Sequence, residues 1–238
     1  MQLNQMKDED AVSTAEFDSY AEQYEELLAH SIKISGEKPE YFAAYKASYL
    51  SRVVPFDLTR VLDYGCGIGM LSTQLKLQFP KAQVDGFDPS PGSLARVDPA
   101  LRAQGSFQSR RDSLGSAYDL IVMANVLHHV KPADRQTLVS DVASRLAAHG
   151  RLVVFEHNPF NALMQWAVAQ CVFDEDAILL RRKESLHYFH RAGLKTTADY
   201  IVFFPHWLRR LRRLESHLYW CPLGAQYVVI GNKPSGEG

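Results

Sequence analysis

The segment VLDYGCGIGM at residues 61–70 limits what this chain can fold into more than any other feature. Residues 60–64 form a short apolar run, which reads as a buried parallel strand. Gly65, Cys66, Gly67, Ile68 and Gly69 then make a tight loop, and a helix is expected over residues 71–79, stopped by Pro80. Glycines permit positive φ and let a ligand touch the backbone. The N-terminus of the following helix offers unpaired N–H groups and a partial positive charge. An anionic group belongs there.

The surrounding sequence repeats the strand–helix rhythm. Strands are expected at residues 83–87, 118–124 (YDLIVMA), 151–155 (RLVVF), 197–204 and 226–231, with a helix at 133–148 ended by Gly150. Strands alternating with helices at this spacing imply a mostly parallel sheet covered on both faces. Upstream, residues 15–30 and 40–54 carry apolar residues on one helical face, and Pro39 suits a first helical turn. Residues 159–193 interrupt the rhythm as a helical insert. We therefore expect a Rossmann-like α/β domain over residues 56–238, preceded by a helical lid over residues 1–55.

The glycine spacing is G-x-G-x-G, and position 70 is Met, so the dinucleotide pattern G-x-G-x-x-G is not met. Asp63 stands just before the loop, where it would repel a pyrophosphate but would suit an ammonium. Loop N–H groups for a carboxylate and an Asp for an amine describe the amino-acid end of S-adenosylmethionine. Asp88 follows the second strand, 25 residues after Asp63, where a carboxylate can take both ribose hydroxyls. Pro89 and Ser90 fall where an adenine edge would lie, and Asp112 is placed to meet the adenine amino group.

These pieces, VLDYGCGIG, GFDPS, RDS, YDLIVMANVLHHV and GRLVVFEHNP, resemble those of the class I S-adenosylmethionine-dependent methyltransferases across roughly residues 60–160. The resemblance implies a seven-stranded sheet with an antiparallel last strand and S-adenosylmethionine as cofactor. It also places the backbone of residues 123–125 beside the methionine part. Lid helices over the cofactor follow from it too. Tyr20, Tyr24, Tyr41 and Tyr45 could then face the sulfonium by cation–π contact. Lys46 could meet the cofactor carboxylate.

Methyl transfer asks the protein for alignment and exclusion of water. A base is needed only when the acceptor must lose a proton. Candidates are His128 and His129 in the loop after the YDLIVMA strand, His157 after the RLVVF strand, and Tyr41 on the lid, with Asn125 at the same carboxyl edge. Glu156, His157 and Asn158 face the acceptor side. No ligand spacing among these residues supports a metal site. The reaction expected is methylation of a small-molecule acceptor. Attack on the aminopropyl chain, closing the cofactor to azetidine-2-carboxylate with release of methylthioadenosine, stays open, as does a non-catalytic binding protein.

The rest of the sequence narrows the partners. The formal net charge is −1 and no interleaved basic–aromatic platform lies on the core, which argues against nucleic acid. Three cysteines, Cys66, Cys171 and Cys221, are not a disulfide framework. With no leader-like apolar segment and no run of 18 apolar residues, the expectation is a cytoplasmic monomer or homodimer without stable membrane insertion. Asp174, Glu175 and Asp176 read as a helix-start cluster. LRRLRRLE at residues 208–215 reads as a solvated amphipathic helix, with a lipid-linked acceptor or a membrane surface as the sharper possibility.

Overall fold

A computed structural model describes residues 32–54, 57–171 and 177–234. Helix α1 (Pro39–Val53) precedes strand β1 (Arg60–Tyr64), α2 (Met70–Gln78) and β2 (Gln83–Phe87). Two short helices, α3 (Pro91–Ala95) and α4 (Pro99–Arg102), lead to the two-residue β3 (Phe107–Gln108). Then come β4 (Tyr118–Ala124), α5 (Arg135–Ser144), β5 (Leu146–His157), α6 (Ala162–Ala169) and α7 (Arg182–Arg191). Strands β6 (Lys195–Ile201) and β7 (Gln226–Asn232) close the chain.

The seven strands lie in the order β3-β2-β1-β4-β5-β7-β6. Strands β1 to β5 pair in parallel, and β7 inserts antiparallel between β5 and β6. Successive strand residues point to opposite faces, which fixes two cores. Leu62, Ile121, Met123 and Val154 pack with α5 and α7. Val61, Leu120, Val122, Val153 and Phe155 pack with α1 and α2. From β1 the chain winds to β2 and β3 on one side and from β4 to β5 on the other. The carboxyl ends of β1 and β4 therefore form the crevice where such sheets bind ligands.

Three expectations change. The helix read over 133–148 ends at Ser144, and β5 already starts at Leu146. Pairing jumps from Tyr118↔Leu146 to Leu120↔Arg151. The intervening alanines favour helix, but sheet pairing overrides that preference. His149 sits at φ 65, and a Cβ at Gly150 would meet the Tyr118 carbonyl at 2.7 Å. Second, α1 is no detachable cover: Ala47, Tyr49 and Leu50 are buried among Leu75, Val153, Phe155 and Val228. Third, residues 208–215 belong to a kinked run of 3-10 turns over His206–His217 and form no α-helix. The helix expected over 15–30 and the cluster Asp174–Asp176 lie outside the described residues.

Candidate functional site

A cleft of about 550 Å³ opens at the carboxyl ends of β1, β2, β4 and β5, a size suited to a small organic ligand. Its floor is the glycine loop. Gly65, Gly67 and Gly69 all have positive φ, at 81°, 53° and 84°. A Cβ on Gly65 would stand 2.4 Å from Val126, so this loop and the one after β4 touch only because no side chain intervenes. Gly65, Cys66 and Gly67 line the cleft. Gly69 instead begins α2 and packs on Val97. Burial pushes the Cys66 thiol well up, so it serves as apolar wall.

Asp63 is buried beneath this floor and accepts a hydrogen bond from Ser72 Oγ at 2.6 Å. Burial, reinforced by the charge of Asp88, raises its carboxyl to about 7 despite the Ser72 bond. Lys46, on the cleft face of α1, is also buried, and burial lowers its ammonium to about 8 against the pull of Glu156 and Asp63. Two opposite charges thus share a poorly solvated end of the cleft, each lacking full compensation. Asp88 stands across from them. Its carboxylate accepts N–H bonds from Gly67 at 2.7 Å and Ser90 at 3.0 Å. Pro89 also lines the cleft. Ser90 does not, because its hydroxyl caps α3 by accepting the Ser93 N–H.

The opposite rim is organised by Glu156, which is fully buried at the end of β5. It accepts N–H bonds from Val126 at 3.1 Å and Leu127 at 2.7 Å, and His128 Nδ1 lies 2.6 Å away. Burial alone would raise this carboxyl, but His128, His157 and the Leu127 N–H together hold it below the usual range. A carboxylate only accepts, so His128 donates through Nδ1, which makes Nε2 the basic nitrogen of the neutral ring. The rings of His128 and His157 are 5.1 Å apart, and both residues line the cleft together with His129. Asn125, at φ 59, presents a buried Oδ1 without a hydrogen-bond partner. Gln226 lies opposite His157 in the β5–β7 register, with Nε2 3.4 Å from His157 Nδ1 and its own Oε1 unpaired. Met164, Ala167, Val168 and Cys171 supply an apolar wall.

Some expected residues are elsewhere. Asp112 is 88% exposed, 4.0 Å from Arg110, because its 3-10 turn aims it at solvent; Ser109 and Arg111 line the cleft in its place. Tyr41 faces away from the cleft, stacked under Arg212 at 4.4 Å, and burial raises its phenol to about 12. Tyr45 bonds Glu215. The face of α1 turned to the cleft is Pro39, Phe42, Ala43 and Lys46. Tyr20 and Tyr24 lie outside the described residues. Among the described residues, no three His, Cys, Asp or Glu side chains are grouped to hold a metal ion.

The donor set has a definite chemical signature. Asp63 and the unpaired Asn125 oxygen ask for an ammonium, Lys46 for a carboxylate, and Asp88 for a diol. These are the groups of S-adenosylmethionine, and the cleft fits it. A model of the methyltransferase domain matches residues 20–199. The chain belongs to the class I S-adenosylmethionine-dependent methyltransferases. Trans-aconitate 2-methyltransferase of Klebsiella pneumoniae is 31% identical over 110 residues, 45% of this chain and 43% of that protein. An uncharacterised protein of Synechococcus is 34% identical over 105 residues, 40% of this chain and 25% of its own length. The chain thus spans less than half the length of these curated relatives. Magnesium protoporphyrin IX methyltransferase from Synechocystis, solved with bound S-adenosylhomocysteine, shares the fold at a TM-score of 0.65 and 16% identity, covering 94% of this chain and 99% of that one. A possible histamine N-methyltransferase from Thermotoga maritima aligns at 0.63 and 15%, covering 93% of this chain and all of that one. S-adenosylmethionine is the cofactor of this family.

Proposed function

We propose that this methyltransferase acts on an O–H or N–H group of a small acceptor with an apolar body, and that His128 takes the acceptor's proton. The observation behind this reading is the buried Glu156–His128 pair on the cleft rim. Bound S-adenosylmethionine supplies a methyl group already activated on a sulfonium. Asp63, Lys46 and Asp88 hold its amine, carboxylate and ribose. Glu156 fixes the His128 tautomer and, through Val126 and Leu127, the loop that carries it. The acceptor's proton passes to Nε2 of His128, while His157 orients the acceptor. Met164, Ala167 and Val168 exclude water from the acceptor side. The trans-aconitate and magnesium protoporphyrin IX methyltransferases act, by their names, on small molecules, in keeping with this reading.

The test is product analysis. S-adenosylhomocysteine should accumulate only when a protic acceptor is added. Catalytic formation of methylthioadenosine from S-adenosylmethionine alone would replace methyl transfer with ring closure.

Asp63 gives a second test. Its carboxyl is raised in the folded protein, so the unfolded chain ionises first. Stability of the ligand-free protein should fall as pH rises from about 4 through about 7. Cofactor affinity should rise over the upper part of that window, with proton release on binding, because only the carboxylate attracts an ammonium. Asp63→Asn should flatten both profiles, raising the neutral-pH Tm of the free protein while weakening the cofactor at least tenfold. Calorimetry in buffers of different ionisation enthalpy reads the released proton. An unchanged affinity profile in the variant would remove Asp63 from the amine site.

A further inference from the structure

The segment between β6 and β7 is amphipathic with its faces reversed. In 3-10 geometry, residues three apart eclipse, so His206–His217 presents three rows. The row against the protein is polar. Arg212 bonds Glu37 at 2.6 Å and the Phe204 carbonyl at 3.1 Å. Buried Glu215 accepts from Tyr45 and from the N–H groups of Phe203 and Phe204. The other two rows face solvent: Leu211 and Leu214 on one, Arg210 and Arg213 on the next. Apolar side chains usually anchor such an element; here they are left outside.

The exposed apolar surface continues beyond the segment. Trp207 is 73% exposed, Trp220 75% and Leu223 68%. Asn158 and Asn161 donate to the carbonyls of Pro222, Leu223 and Gly224, which ties this loop to the start of α6. There Phe160, Leu163 and Trp166 are also exposed, while the opposite side of α6 walls the cleft. A surface of this kind marks an interaction site.

Its charge selects the occupant. Within residues 206–223 the one acidic residue, Glu215, is buried, and Arg212 is taken by Glu37, leaving Arg209, Arg210 and Arg213 at the surface. Local positive charge in a chain of net charge −1 is a property of this face, not of the whole molecule. Exposed tryptophans and leucines beside arginines match a bilayer interface, where indole sits at headgroup level and arginine meets lipid phosphate. We infer that this face docks on an anionic phospholipid surface, holding the enzyme peripherally with α6 and the cleft mouth against the membrane. Among the described residues no helix is long and apolar enough to cross a bilayer, so attachment would be interfacial. This inference stands apart from the choice of acceptor.

The experiment is flotation of the full chain with vesicles of equal parts phosphatidylglycerol and phosphatidylcholine, against phosphatidylcholine alone. Binding to the anionic vesicles, weakened by salt, is expected. Arg210→Gln with Arg213→Gln should cut the partition coefficient about thirtyfold. Trp207→Ser with Trp220→Ser should cut it at least tenfold, and both variants should keep wild-type Tm and cofactor affinity. Failure to float, equal binding of the wild type to anionic and neutral vesicles, or equal binding to anionic vesicles by the arginine variant and wild type overturns the inference. So does a stable dimer by light scattering that the tryptophan variant dissociates, since a second copy would then own the face.

Discussion

His128→Gln should lower kcat by about two to four orders of magnitude, the usual contribution of a positioned base, and leave cofactor affinity within a few-fold. Glutamine retains an N–H for Glu156 but has no nitrogen that can take a proton near neutral pH. The replaced ring is only 1% exposed and bonds a buried carboxylate at 2.6 Å, so some stability will also be lost, about 1–3 kcal/mol. A thermal melt separates the two effects: the variant should be folded at the assay temperature and still bind S-adenosylmethionine. Glu156→Gln is the companion. It keeps the shape but loses the charge that favours imidazolium, so the acid limb of the pH–kcat profile, where His128 becomes protonated, should move to lower pH. Loss of activity without that movement would mark Glu156 as a purely structural hub. A His128→Gln enzyme with kcat within threefold of wild type on an O–H or N–H acceptor would remove the proton-taking role.

Local signals carried much of this arrangement. The apolar stretches Val61–Leu62 in β1 and Leu120–Ala124 in β4, with β2 between loop signals, mark three strands whose ends place Asp63, Asp88 and Asn125 at one edge by parallel pairing. The cleft face of α1 was also present at helical spacing, in Pro39, Phe42, Ala43 and Lys46, but its tyrosines drew attention to the other side. What could not be read depends on distant partners. Tyr41 turns from the cleft because Arg212, 171 positions later, covers it. Gln226 reaches His157 only through the antiparallel register of β7, which no local pattern encodes. Ser90 and Asp112 stood at plausible spacings, yet a helix cap claims one and a solvent-facing turn the other. The reversed faces of the 206–217 segment required knowing that it would wind three residues per turn, a helix type without a composition signal of its own.

Removing residues 1–54 should abolish folding, although these residues precede the first strand of the sheet. Helix α1 is a layer of the core. Leu50 is 0% exposed, Tyr49 1% and Ala47 2%, and they cover Val153, Phe155 and Val228 near the middle of the sheet. Tyr49 also reaches the edge strand β6, donating its hydroxyl to Asp199 at 2.6 Å. Without α1, the apolar side chains Val153, Phe155 and Val228 that it covers on β5 and β7 would be exposed to water. A graded version avoids an all-or-none outcome. Leu50→Ala creates a cavity in this layer and should cost about 2–5 kcal/mol, a fall in Tm on the order of 5–15 °C for a domain of this size. Phe42→Ala, on the cleft face of the same helix, should lower Tm less, because Phe42 is only partly buried, and should weaken the cofactor more. The comparison distinguishes a core layer from a lid. A lid would lose turnover and keep its Tm on Leu50→Ala, and its truncation would leave a cooperative melt. A core layer gives the reverse on both counts. A soluble, cooperatively melting fragment beginning at residue 55 would refute the core assignment.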